Sequence, residues 1–183
     1  MKELYWIRRR RSVRRFTSES VTDAQVEYLL KCAMMAPSRL NRRPWHFVVI
    51  RDDATRRLLA ESLRLHPYLE EAQVVIALCA DPRVSSTWML DVAAAAENLL
   101  LSAAAIGLGA IWVGDPGSVM WERSEEVLRE QLRAPDYVKA LGLIAVGHGG
   151  ERLRLRKFEE RFEPNKIHYD SWDQLHGEAG SEP

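Results

Sequence analysis

The stretch VAAAAENLLLSAAAIGLGAIWV, residues 92–113, decides what kind of chain this is. It runs for 22 residues with one formal charge, Glu97. A membrane-crossing helix needs about 20 apolar residues, so length alone admits a span. The content argues the other way. Alanine dominates, Glu97 and Asn98 sit inside it, and Gly107 and Gly109 punctuate it. A central acidic group costs about 2.5–3.5 kcal/mol on insertion scales. The stretch therefore reads as part of a buried helix from about Ser86 to Ile106, a glycine turn, and a short strand Ala110–Val113. A helix that is apolar all round is covered all round. In a chain of 183 residues that implies a second subunit over part of it.

The flanking elements follow from periodicity. Val74–Ala80 (VVIALCA) is a continuous apolar run bounded by Asp81-Pro82, which suits a central strand. Trp45–Ile50 is rich in aromatic and β-branched residues and reads as another. Between them a helix over Asp53–Leu63 should turn Leu58, Leu59 and Leu63 inward and Arg56, Arg57 and Glu61 outward. Upstream, Thr22 and Gln25 form a capping box for a helix carrying Val26, Leu29, Leu30, Ala33 and Met34 on one face, and Pro37 stops it. Residues 3–9 can form a short helix. Downstream, a helix over Met120–Leu132 shows the apolar stripe Val127, Leu128 and Leu132. Leu141–Val146 is a buried strand, and Lys166–Tyr169 a last short one. Strands separated by helices give an α+β or α/β class. No repeat or linker divides the chain, so one domain over residues 1–175 is expected, with a frayed tail at 176–183.

Composition narrows the function. The chain is 46% apolar and 28% charged, enough for a core. Its 26 basic and 26 acidic residues leave no net charge, which argues against coating nucleic acid by bulk charge. The two cysteines, Cys32 and Cys79, lie in apolar runs and read as buried, reduced thiols. The N-terminus lacks an apolar signal core, so a cytoplasmic protein is expected. There is no GxxxxGK[ST], GxSxG, HExxH or CxxC. Gly107-Leu-Gly109 precedes a strand, whereas a dinucleotide fingerprint follows one. His46, His66, His148, His168 and His176 show no ligand spacing, so no metal is expected.

Two segments carry chemistry. Six of the eight residues 8–15 are arginine, with Ser12 among them. Arginine's planar fork matches phosphate oxygens, and a serine hydroxyl adds a donor. A phosphate pocket and a solvated basic arm fit this segment equally. The second is Ala36–His46. There Ser38 and Asn41 lie in a loop between a helix stop and Pro44, and an asparagine amide can read the edge of a heterocycle. Local backbone capping explains the same residues.

Together, RRSVRRF (10–16) and PSRLNRRPWHF (37–47) resemble the flavin-dependent nitroreductase family, with its RRSxRxF and PSxxNxQPWxF elements. DVAAAAENLLL (91–101), GLGAIWVG (107–114), LIAVG (143–147) and Arg154-x-Arg156 before Phe158 follow in the family's order. The resemblance implies an α+β nitroreductase-like fold: a mostly antiparallel central sheet flanked by helices, in an intertwined homodimer. It implies one tightly bound FMN per active site and NAD(P)H as co-substrate. Arg10, Ser12, Arg154 and Arg156 would hold the flavin phosphate, with Arg11 beside it. Arg14 would approach the N1/O2 side of the ring. Pro37, Ser38 and Asn41 of the opposite chain would meet its pyrimidine side. The backbone of Trp112, Val113 and Gly114 would pass near N5. The chemistry would lie on the flavin, with no separate catalytic side chain, serving a small nitroaromatic or quinone acceptor and neither membrane nor nucleic acid. Two departures stand out: Arg43 replaces the usual Gln, and His148-Gly149 the usual Tyr-Pro. A flavoprotein of the same fold with another task, and a nucleic-acid module using residues 8–15, are the alternatives.

Overall fold

The structure, a computed structural model of the chain, describes residues 5–62, 68–151 and 154–173. It divides into two compact units, one through Leu153 and one from Arg154. The first holds a four-stranded sheet in the order β1-β2-β4-β3, from β1 (Trp45–Ile50), β2 (Val74–Ala80), β3 (Gly109–Val113) and β4 (Lys139–Gly147). Every neighbouring pair is antiparallel. β1 and β2 match the predicted strands to the residue. β2 is buried at all seven positions because both sheet faces are covered. Val74, Ile76 and Leu78 pack towards α2 (Asp23–Met34) and α5 (Trp88–Ala105). Val75, Ala77 and Cys79 share the opposite core with residues of α3 (Asp53–Ser62), α4 (Tyr68–Glu71) and α6 (Val119–Gln131). Continuous apolarity thus reports two-sided burial, whichever way the strands run.

The capping box forms as read. The Gln25 amide donates to Thr22 Oγ1 at 3.2 Å, and the Thr22 amide donates to Gln25 Oε1 at 2.8 Å. Helix α5 begins at Trp88 rather than Ser86, and its chain turns at Gly107 into β3. Its mean hydropathy of 1.2 over 18 residues would suit a span, yet half of it is buried inside this fold. Asp91, Val92, Ala95, Ala96 and Leu99 line the inner side, whereas Leu90 is 71% exposed. Within one chain the helix is therefore not covered all round.

Two expectations are corrected, in α3 and at 166–169, and the apolar stripe of α6 gains a member. In α3, Leu58 is exposed and Arg56 is buried. The Arg56 guanidinium donates to the Glu70 carbonyl at 2.7 Å, to the Ala72 carbonyl and to Asp53, so a charged side chain occupies an inner position by capping α4's end. In α6, Trp121 joins Leu128 in the core and donates Nε1–H to the Ala140 carbonyl at 3.1 Å, while Val127 and Leu132 are half-buried. In the second unit the strand expected at 166–169 is reduced to an isolated β-bridge at His168. Pro164–Lys166 is a 3-10 turn, with Pro164 at its start, and His168 stacks on Trp172 at 4.4 Å. Leu63, His66, His176 and the tail 176–183 lie outside the described residues.

Burial, with the Glu125 carboxylate adding to it, pushes the Cys79 thiol up to about 12. The reactive thiolate is then roughly one part in ten thousand at pH 8. Cys79 should resist alkylation in the folded protein and label at once in urea. Mass spectrometry of iodoacetamide-treated samples checks this, and rapid native labelling of Cys79 would contradict it.

Candidate functional site

The arginine segment is not a free arm in this structure. Ser12 bridges Ala110 in parallel, and the Val13 amide donates to the Ala110 carbonyl at 3.1 Å. Further along, Phe16 bridges Gly149, the Thr17 amide donates to the His148 carbonyl at 2.9 Å, and the Gly150 amide donates to the Arg15 carbonyl at 2.9 Å. The segment thus extends the β3 edge and continues past the end of β4. Two side chains anchor it. Val13 is buried against Gly109, where a Cβ would stand 2.8 Å from the valine's Cγ1. Phe16 lies over Gly147, where a Cβ would stand 2.8 Å from its ring. Gly109 and Gly147 are register partners, so one bare patch of sheet receives both anchors.

With Val13 turned in, its neighbours remain accessible. Ser12 and Arg14 are exposed, and Arg10 and Arg11 are half-buried. Arg10 Nε lies 3.4 Å from Glu97 of α5. Arg14 lies beside Tyr68, whose hydroxyl burial pushes up and the Arg14 guanidinium pulls down. The end of α4 and the residues after it grip the same segment: Glu71 Oε2 accepts from the Phe16 amide at 3.3 Å, and Gln73 donates to the Thr17 carbonyl at 3.3 Å.

The second predicted segment is a tight turn held in costly backbone geometry. Leu40, Asn41 and Arg43 all have positive φ, at 51°, 56° and 49°. Left-handed non-glycine residues cluster at functional sites because each costs about 1–3 kcal/mol. Ser38 Oγ accepts the Arg43 amide at 3.0 Å, and Asn41 Oδ1 accepts Arg43 Nε at 2.9 Å. Pro37 precedes the turn, exposed. Asp91 clamps it from α5. This 6%-exposed carboxylate accepts the Arg39 amide at 3.0 Å and the Ser85 hydroxyl at 2.6 Å. Sequence reading had placed Asp91 in a motif without a role. Its partner Arg39 lies 52 residues away, and only the fold brings them together.

The third segment is the end of β3. Val113 is buried and Trp112 half-buried, with the Trp112 indole nitrogen buried and without an acceptor. At Gly114 φ is 150°, and a Cβ would stand 2.8 Å from the Leu141 carbonyl oxygen. The chain there can therefore run close to β4 only as glycine.

The second unit carries the remaining two arginines. Arg154 pairs with Glu160 Oε1 at 2.6 Å, and the carboxylate raises the guanidinium's already high pKa. Arg156 is half-buried and has partners of its own.

The donor set suits a flavin mononucleotide. Guanidinium groups and the Ser12 hydroxyl lie along one anchored edge, which fits a phosphate. Asn41 sits on a rigid turn, which fits a heterocycle's edge.

Known proteins are similar to this chain in sequence and in fold. The model of the Nitroreductase family matches residues 7–81 and 61–148. A protein of Archaeoglobus fulgidus, provisionally named NADH dehydrogenase/NAD(P)H nitroreductase, is 34% identical over 89% of this chain and 94% of its own. A crystal structure from Parabacteroides distasonis, with the same provisional name, superposes with a TM-score of 0.85 at 33% identity, over 92% of this chain and 98% of that one. A Desulfovibrio desulfuricans structure, provisionally a nitroreductase and described as a complex with FMN, gives 0.74 at 33% identity over 88% and 96%.

Proposed function

The chain belongs to the nitroreductase family, and from there we propose that it is an FMN-dependent oxidoreductase. It takes hydride from NAD(P)H and passes it to a nitroaromatic, quinone or similar acceptor in two alternating half-reactions at one site. The observation that carries this reading is the anchored Arg10–Phe16 segment, an ordered basic edge that a solvated arm would not need. The relative solved with FMN supports the cofactor.

When bound, the flavin supplies a centre that accepts and then donates hydride, and the protein supplies orientation and electrostatics. Arg10 and Ser12 donate to phosphate oxygens, and Arg11 adds charge beside them. On the family resemblance alone, Arg154 and Arg156 would serve a flavin phosphate as well. Arg14, oriented by Tyr68, brings positive charge to the N1/O2 side and favours the more negative reduced state. Pro37, Ser38 and Asn41, offered by a second copy of the chain, close the pyrimidine side. The backbone of Trp112, Val113 and Gly114 shapes the space where the two substrates alternate. Exposed Tyr5, Trp6 and Ile7 on α1 (Tyr5–Arg9), with Leu90 on α5, offer the apolar surface such a homodimer would bury. A NAD(P)H-fed reaction suits the cytoplasm, where the thiols of Cys32 and Cys79 stay reduced.

Purified protein should be yellow and should bleach on anaerobic addition of NAD(P)H. A colourless protein that takes up no FMN in excess contradicts the reading. Arg10→Ala should keep the fold, since its Glu97 pair is solvent-accessible and worth little. Losing a charge-assisted phosphate contact of about 1.5–3 kcal/mol should weaken FMN binding by roughly ten- to a hundredfold. Unchanged occupancy after dialysis would remove Arg10 from the site.

A further inference from the structure

Arg43 occupies the position where the family's usual pattern has glutamine, and the turn treats it differently from its neighbours. Three arginines lie on this turn. Arg39 donates to Ser86, and Arg42 Nη1 donates to the Val84 carbonyl at 3.2 Å, so both are tied to the loop before α5. Arg43 is held only at its inner end. Its amide donates to Ser38 Oγ and its Nε to Asn41 Oδ1. Among the described residues its two terminal nitrogens meet no acceptor. The side chain is exposed, and its backbone sits at a φ of 49°. The guanidinium is therefore fixed at its root and open at its tip.

This arrangement also fixes what Asn41 can offer. An asparagine amide presents one acceptor oxygen and a donor nitrogen. Here Arg43 takes one of the oxygen's two lone pairs, and both hydrogens of the nitrogen remain to donate. Asn41 Nδ2 and the Arg43 terminal nitrogens together form an edge dominated by donors, and it carries a full positive charge. Glutamine at position 43 could accept as well as donate and would bring no charge.

Taking the flavin reading above as given, we infer that Arg43 makes this turn a charged, donor-rich edge for the acceptor side of the bound ring system. The ligand it suits is a heterocycle whose ring nitrogen and carbonyl oxygens become more negative on reduction. A guanidinium there holds the reduced form more tightly than the oxidised one and so raises the midpoint potential. Arg43 acts on the equilibrium between the two forms, whereas the phosphate contacts of Arg10 bind both alike.

The test is spectroelectrochemical titration of the FMN-loaded protein, beside its Arg43→Gln and Arg43→Lys variants. Thermal melts confirm folding, and fluorescence titration gives affinity for oxidised FMN. Arg43→Gln should lose about tenfold of the preference for reduced over oxidised flavin, a fall of about 30 mV for a two-electron couple. Its affinity for oxidised FMN should change by less than about threefold. Arg43→Lys keeps the charge and should fall less than Arg43→Gln. An unchanged potential in folded, FMN-bearing Arg43→Gln overturns the inference and leaves the flavin reading standing. An unchanged potential with a rise in KM for NADPH alone assigns the guanidinium to the co-substrate and equally overturns it. Wild-type protein that takes up no FMN overturns the flavin reading itself.

Discussion

Asp91→Ala should cost about 3–5 kcal/mol of stability and open the Ser38–Arg43 turn to trypsin. The carboxylate is buried and serves chiefly two donors, the Arg39 amide and the Ser85 hydroxyl, with the Thr87 hydroxyl a longer third at 3.5 Å. Orphaning a buried donor costs about 1–3 kcal/mol, and each loses its acceptor together with the negative charge. The turn then loses what keeps it in place. Three of its residues sit in left-handed backbone geometry, and Leu40 has no side-chain polar group to stabilise it there. Once the Arg39 amide is free, that strain favours relaxation, and the exposed arginines of the turn become protease sites. FMN affinity should fall with it, because the turn that carries Ser38 and Asn41 would no longer hold its shape. Asp91→Asn separates shape from charge. Its amide oxygen can still accept from Arg39, and the Ser85 hydroxyl can rotate to accept from the new NH2. That variant should lose less than about 1.5 kcal/mol and resist trypsin. Urea melts and timed digestion of both variants decide the matter. A wild-type melt for Asp91→Ala would mean that the clamp contributes nothing.

Asp91 also marks where sequence reading stops. Elements with strong local signals were legible to the residue: Trp45–Ile50, Val74–Ala80 and the Thr22/Gln25 capping box. The two segments proposed for the site stood out because an arginine cluster and a Ser/Asn turn are unusual locally. Pairings across the chain were not. Arg56 was expected outside because a guanidinium is usually solvated, yet the carbonyls of Glu70 and Ala72 give it a buried role. The short run at 166–169 has strand-like composition, but the fold supplies a 3-10 turn starting at Pro164. The segment 8–15 could equally have been an arm. What decides in favour of an ordered edge is the pair of glycines opposite Val13 and Phe16, which lie about a hundred residues or more downstream.

That pair yields the second large effect. Gly109→Val should detach the arginine segment from the sheet. Gly109 has no positive φ, so the penalty is steric rather than conformational. A Cβ there would stand 2.8–2.9 Å from three side-chain atoms of Val13, including its rigid Cβ. Overpacking of this kind costs about 1–3 kcal/mol, and the cheapest relief is for Val13 to leave. Its departure breaks the Val13 amide bond to the Ala110 carbonyl and releases the chain between two anchors. Arg10, Ser12 and Arg14 flank Val13, so phosphate recognition should fail along with the packing. FMN binding should drop at least tenfold while the far strands β1 and β2 keep their protection in hydrogen exchange. Gly109→Ala should show a milder form of the same loss. Adding Val13→Ala to it removes two of the three clashing atoms and should recover part of the affinity, a non-additivity expected only of residues in contact. If Gly109→Val bound FMN as tightly as the wild type, the ordered basic edge would not be what holds the phosphate.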